Sequence, residues 1–132
     1  MKNLQVLAQA LAYMEEHLHE DICTDDIAQA CYCSKSMIEK LFRHVNSISI
    51  RDYIIRRRMT LAGRELIENP NINVLEVALK YGYSTPESFC RAFFQVWNCN
   101  PSVFRKRERT SELFPRLTLS SGDGDEYMNQ RR

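Results

Sequence analysis

The chain has 132 residues and lacks most of what would mark an enzyme, an export substrate or a membrane protein. No apolar run approaches the roughly 20 residues that a membrane-spanning helix needs. The first residues carry no basic stretch followed by an apolar segment and a small-residue cleavage site, so the expected compartment is the cytoplasm. Glycine is scarce, at 4 residues, and none forms a loop that could cradle phosphate. Paired carboxylates and a Ser/His/Asp set are missing as well, which argues against an enzyme. The 3 histidines (His17, His19, His44) form no metal-ligand cluster, so neither a metal nor another cofactor is expected. Five cysteines (Cys23, Cys31, Cys33, Cys90, Cys99) are an odd number and cannot all pair within the chain. Cys31 and Cys33 flank a single residue, which is not zinc-finger spacing. Free thiols in or near a core are the plain reading, and a redox-sensing or metal role is the alternative. No strand pattern appears before residue 110.

What is present is a segregated charge. The net charge is only +1, yet residues 1–34 carry one base against six acids, and residues 35–64 carry eight bases against Glu39 and Asp52. Residues 65–90 are acidic again, with Lys80 against four glutamates, and residues 91–109 hold five bases against Glu108. Blocks of this kind create a local footprint for a polyanion that the total conceals.

The basic blocks coincide with the second halves of an internal repeat. Ile27-Ala28 through Ser34, Ile38 and Leu41-Phe42 recurs as Val77-Ala78 through Ser84, Phe89 and Ala92-Phe93. Each copy reads as a short apolar-periodic helix, a turn ending in Ser, and a second amphipathic helix. That is the helix-turn-helix pattern, whose second helix enters the DNA major groove. The spacing of Leu4, Leu7, Ala8, Leu11, Met14 and Leu18 predicts a first helix over about 4–20. Thr24, with Asp25 and Asp26 behind it, is the expected cap of a helix running to about Tyr32. Ser34 caps the next helix, which buries Ile38, Leu41 and Phe42 and turns Lys35, Ser36, Glu39, Lys40 and Arg43 outward. Ser49 with Asp52 is a capping-box pattern opening a long helix to about Glu68, with Tyr53, Ile54, Met59, Leu61, Ala62 and Leu66 as core positions. Asn69-Pro70 stops it. Asn73 with Glu76 starts a helix to Tyr81, Gly82 takes a positive φ, and Ser84-Thr85-Pro86-Glu87 opens a helix to about Trp97. Asn98 is suited to a left-handed cap, and Pro101 begins a last short helix carrying Val103 and Phe104. The expected architecture is all-α with about seven helices: a first helix-turn-helix subdomain over 1–48, a linker helix over 49–68 and a second subdomain over 69–109. A tail over 110–132 follows, with an extended or docked segment over 113–119 and a flexible polar remainder.

The chain resembles the AraC-type transcription regulators, in particular their compact MarA/SoxS/Rob-like members. The second repeat carries the resemblance most specifically: Val77-Ala78, Tyr81-Gly82-Tyr83-Ser84, Ser88-Phe89, Arg91-Ala92-Phe93-Phe94, Pro101 and Phe104-Arg105. Tyr53 to Met59 is similar to the start of that family's linker helix. Three departures fall where bases would be read or near it. Tyr32-Cys33 replaces the usual Gly-Tyr, Ser36 and Glu39 stand in place of an exposed Trp and Gln, and Pro86-Glu87 replaces two Gln.

The resemblance implies a monomer that sets two recognition helices into successive major grooves, about 34 Å apart on one face of double-stranded DNA. It also implies activation through RNA polymerase. Base reading then falls to Ser36, Glu39, Lys40 and Arg43 on one helix and Pro86, Glu87, Ser88 and Arg91 on the other. Lys40 and Arg91 suit guanine O6 and N7, while Glu39 and Glu87 suit cytosine N4 or ordinary helix solvation. Lys35, Arg51, Arg56, Arg57 and Thr85 are the phosphate candidates, although a helix cannot aim three successive arginines one way. Phe93, Phe94, Trp97 and Tyr81 are expected in the core, with Phe94 the least certain because its position is usually basic. Other readings are a pure protein-interaction module, the DNA-binding part of a longer ligand-responsive regulator, and a DNA-repair alkyltransferase sharing this module. The last would need a four-Cys zinc module ahead of the repeats, and residues 1–20 hold no cysteine.

Overall fold

Ser34, Ser49, Asn73 and Thr85 each accept a backbone N–H at the start of a helix, which sets where four of the elements begin. The computed structural model describes residues 2–107 and Leu117. Among them are seven helices and no strand: α1 (Lys2–Glu16), α2 (Thr24–Ala30), α3 (Lys35–Asn46), α4 (Ile50–Glu68), α5 (Val74–Lys80), α6 (Pro86–Trp97) and α7 (Pro101–Arg107). The flexible remainder expected over 110–132 lies outside the described residues, Leu117 excepted.

Four caps follow the sequence. The Ser34 hydroxyl accepts the Met37 N–H at 3.1 Å and the Ser49 hydroxyl the Asp52 N–H at 3.0 Å. Asn73 and Glu76 satisfy each other's N–H groups at 2.8 and 2.9 Å, a full capping box. Asn98 closes α6 in the left-handed region, its N–H donating to the Phe94 carbonyl. Three boundaries differ. α1 stops at Glu16, because the chain turns there through a Glu20 N–H bond to the His17 carbonyl, although Leu18 is still buried. α2 is capped by Cys23 rather than Thr24, since the Asp26 carboxylate accepts both the Cys23 N–H and its thiol. Those bonds hold the Asp26 carboxyl below the ordinary carboxylate range. α6 is capped by Thr85, not Ser84, with Pro86 as its first residue.

Two compact units divide after Ile54: Met1–Ile54 with Pro115–Arg132, and Ile55–Phe114. The boundary falls inside α4 rather than at either end of a separate linker. In the first unit α1, α2 and α3 pack on one another and bury Leu7, Leu11, Met14, Leu18, Ile27, Ile38 and Phe42. Leu117 is buried in this unit and its N–H donates to the Tyr53 hydroxyl at 3.2 Å, so the tail is docked at that residue. The second unit is built on Phe89, Phe93, Trp97 and Phe104, whose successive ring contacts run from 4.6 to 6.2 Å between centroids. Met59, Ala62 and Leu66 of α4 join this cluster, while Leu41 and Leu61 are only half-buried. Gly63 gives Phe104 its room, because a Cβ there would lie 2.9 Å from the ring. The Trp97 indole N–H donates to the Met59 carbonyl at 3.1 Å.

Two polar devices brace the second unit. The Arg105 guanidinium donates to the carbonyls of Leu66, at 2.7 Å, and of Ile72, covering the end of α4 and the loop behind it. Glu65 accepts from Lys80 at 2.9 Å and from the Tyr81 hydroxyl. Burial, together with that carboxylate, pushes the Tyr81 hydroxyl well above the ordinary tyrosine range.

Candidate nucleic-acid interface

The two repeats superimpose in sequence with a shift that only the caps reveal. α2 and α5 correspond at a spacing of 50, and both turns close alike: the Cys33 N–H donates to the Ala28 carbonyl at 3.0 Å and the Tyr83 N–H to Ala78 at 2.9 Å. The central turn residues, Tyr32 and Gly82, have φ of 57° and 88°. Glycine adopts this conformation freely, whereas a tyrosine is strained in it. Tyr32 is 90% exposed, so its side chain gains no core contact in return. α3 and α6 correspond at a spacing of 51, because Ser84 is an extra residue before the Thr85 cap. The true counterparts are therefore Ser36 and Glu87, Glu39 and Cys90, Lys40 and Arg91, Arg43 and Phe94, His44 and Gln95.

On α3 all the expected base readers, Ser36, Glu39, Lys40 and Arg43, are exposed on the side opposite Ile38 and Phe42. Lys35 and Arg51 are exposed too. Glu39, Lys40 and Arg43 share a surface cleft of about 310 Å³ with Ser49, Ile50 and Arg51 at the start of α4. Three cations and the positive end of a 19-residue helix thus meet at one place.

On α6 the outcome is mixed. Glu87 and Arg91 are exposed opposite Phe89, Phe93 and Trp97. Pro86 and Ser88 are half-buried, and the Ser88 hydroxyl donates to the Thr85 carbonyl at 3.0 Å. Thr85 accepts the Ser88 N–H at 3.1 Å and donates to the Ser88 hydroxyl at 3.0 Å. Ser88 and Thr85 are therefore members of a cap, with their hydroxyl protons already placed. Phe94 is not core: it is 49% exposed, on the same side as Arg91. Gln95 and His44 are exposed on the equivalent sides of their helices and were passed over, though a step of four from Arg91 and Lys40 marks them. Cys90 is half-buried, and burial, with Glu87 nearby, raises its thiol pKa.

Arg57 requires a correction. It is 6% exposed, and its charge acts on the buried Tyr81 hydroxyl, so it is removed from the phosphate candidates. It follows Tyr53 by four and precedes Thr60 by three on one buried stripe of α4. Arg56 is half-buried.

A family model described as a helix-turn-helix domain matches residues 27–107, which takes in both repeats. The transcriptional activator AarP of Providencia stuartii is 31% identical over 100 residues, covering 76% of this chain and 73% of AarP. The regulatory protein SoxS of Escherichia coli K12 is 29% identical over 81% of this chain and 99% of SoxS. The chain belongs to the AraC-type helix-turn-helix family. It is a DNA-binding regulator of transcription. Among solved structures, the DNA-binding domain of AdpA in complex with a target DNA matches with a TM-score of 0.68 and 27% identity, over 80% of this chain and 94% of that one. Among the described residues of this AraC-type chain no helix is long and apolar enough to cross a membrane.

Proposed function

We propose that this AraC-type protein is a cytoplasmic transcription activator that binds double-stranded DNA as a monomer, with α3 and α6 in successive major grooves. The observation that carries the reading is the pair of outward polar edges. Ser36 and Lys40 on α3 stand in solvent at positions matched by Glu87 and Arg91 on α6, and Glu39 and Arg43 extend the edge of α3. Lys40 and Arg91 donate to guanine edges. Lys35 and the cleft at Arg51 hold backbone phosphates, which set register and affinity without carrying sequence information. The similarity to the transcriptional activator AarP supports activation, for which RNA polymerase is the proposed partner.

Selection of bound duplexes from a random pool, followed by titration at several salt concentrations, tests the proposal. Binding of one protein per selected site is expected, with a steep log–log salt slope. Lys35→Ala should flatten that slope by about one unit on every sequence, and Arg91→Ala should cost about 1–3 kcal/mol on selected DNA only. A salt-independent interaction, or equal affinity for selected and random DNA, would overturn it.

A further inference from the structure

α6 is an unusual groove-entering helix because it has little charge with which to hold DNA. Its exposed side presents Glu87 and Arg91, one acid and one base, whereas α3 presents Lys35, Lys40 and Arg43 against Glu39. Where α3 has Arg43, α6 has Phe94, and that ring is 49% exposed instead of joining Phe93 and Trp97 inside. Resting on the reading of α6 as a recognition helix, we infer that Phe94 reads the C5 methyl group of a thymine in the half-site that α6 covers.

Three features lead to this ligand. Phe94 lies one turn beyond Arg91 and two beyond Glu87 on a single side of the helix, so a surface that meets Arg91 also meets the ring. A helical side chain covers the surface over the turn before its own Cα, which directs the ring toward the Arg91 level rather than toward the helix end. In the major groove the thymine methyl is the apolar feature that distinguishes one base from the others, and a phenyl ring cannot donate to a base edge as its counterpart Arg43 can. The core does not need Phe94, since Phe89, Phe93, Trp97 and Phe104 already fill it. The exposed leucines Leu75 and Leu79 lie on α5, not on this helix.

Thymine-to-uracil replacement tests the assignment, because it removes only the methyl group and preserves base pairing. Each thymine of the selected duplex is replaced in turn, and binding of the full chain is measured for wild type, Phe94→Ala and Phe94→Leu. One thymine in one half-site should show a loss of about fourfold with wild type, the effect of one buried methyl group. Phe94→Ala should bind the thymine and uracil duplexes equally, and Phe94→Leu should retain part of the difference. Helical circular dichroism should be unchanged in both variants, because the residue stands outside the core. The inference is overturned if no thymine is sensitive, if the uracil loss persists in Phe94→Ala, or if Phe94→Ala weakens selected and random DNA equally, as a backbone contact would. It is also overturned, together with the DNA-reading proposal, if wild type shows no preference for the selected duplexes. Selective binding without uracil sensitivity leaves that proposal standing and removes only Phe94.

Discussion

The two helix-turn-helix copies share a frame but spend their residues differently. The second has Gly82 at the left-handed turn position, a tryptophan whose N–H is satisfied by the Met59 carbonyl, and a continuous aromatic core. The first has a strained Tyr32 in that turn, and its counterpart of Trp97 is Asn46. Asn46 is buried, and its Nδ2 has no hydrogen-bond partner among the described residues. Burying an amide without a partner costs about 1–3 kcal/mol. On the outside the order reverses. α3 turns three bases and one acid to solvent, while α6 turns one of each and exposes a phenyl ring. The copy with the stronger electrostatic face is the copy with the less satisfied interior, so packing and charge are optimised separately in the two halves.

Core substitutions should break this comparison most visibly. Phe93 contacts Phe89, Trp97 and Phe104, so Phe93→Ala should lower stability by about 3–5 kcal/mol in a denaturant titration. A loss under about 1 kcal/mol would mean that the aromatic chain is not what holds α6. The turn exchange is smaller and has opposite signs in the two copies. Tyr32→Gly should raise stability by about 1 kcal/mol by releasing the left-handed strain. Gly82→Ala should lower stability by a similar amount, about 1 kcal/mol. A Cβ at residue 82 meets nothing within 4 Å, so the whole effect would come from the backbone. Equal signs in the two thermal midpoints would show that the turns are not equivalent.

Local signals made much of the fold legible. Ser34, Ser49, Asn73 and Asn98 each act within a few residues of their partners, and apolar spacing located Ile38, Phe42, Phe89 and Phe93 correctly. The misreadings have two causes. Competition between neighbours moved the caps: Asp26 recruits Cys23 ahead of Thr24, and Thr85 displaces Ser84 once Pro86 takes the first helical position. Contacts across the chain account for the others. Helix geometry says that the three arginines 56–58 cannot all face one way but not which turns inward until Tyr81 is packed beside α4, and Arg105 shows no role until the carbonyls of Leu66 and Ile72 face it. At the candidate interface, helical spacing was enough to place Ser36, Lys40 and Arg91 in solvent. It was not enough for Ser88 and Thr85, because a hydroxyl near a helix start serves the cap before it serves a ligand.

The most direct test of the two-helix account is a pair of base-preference profiles, measured by randomised-site selection with Lys40→Ala and with Arg91→Ala. The account predicts that each variant relaxes preference at its own cluster of positions, the two clusters lying about one helical turn of DNA apart. Relaxation at the same positions in both variants, or a uniform loss over all sequences, would contradict it.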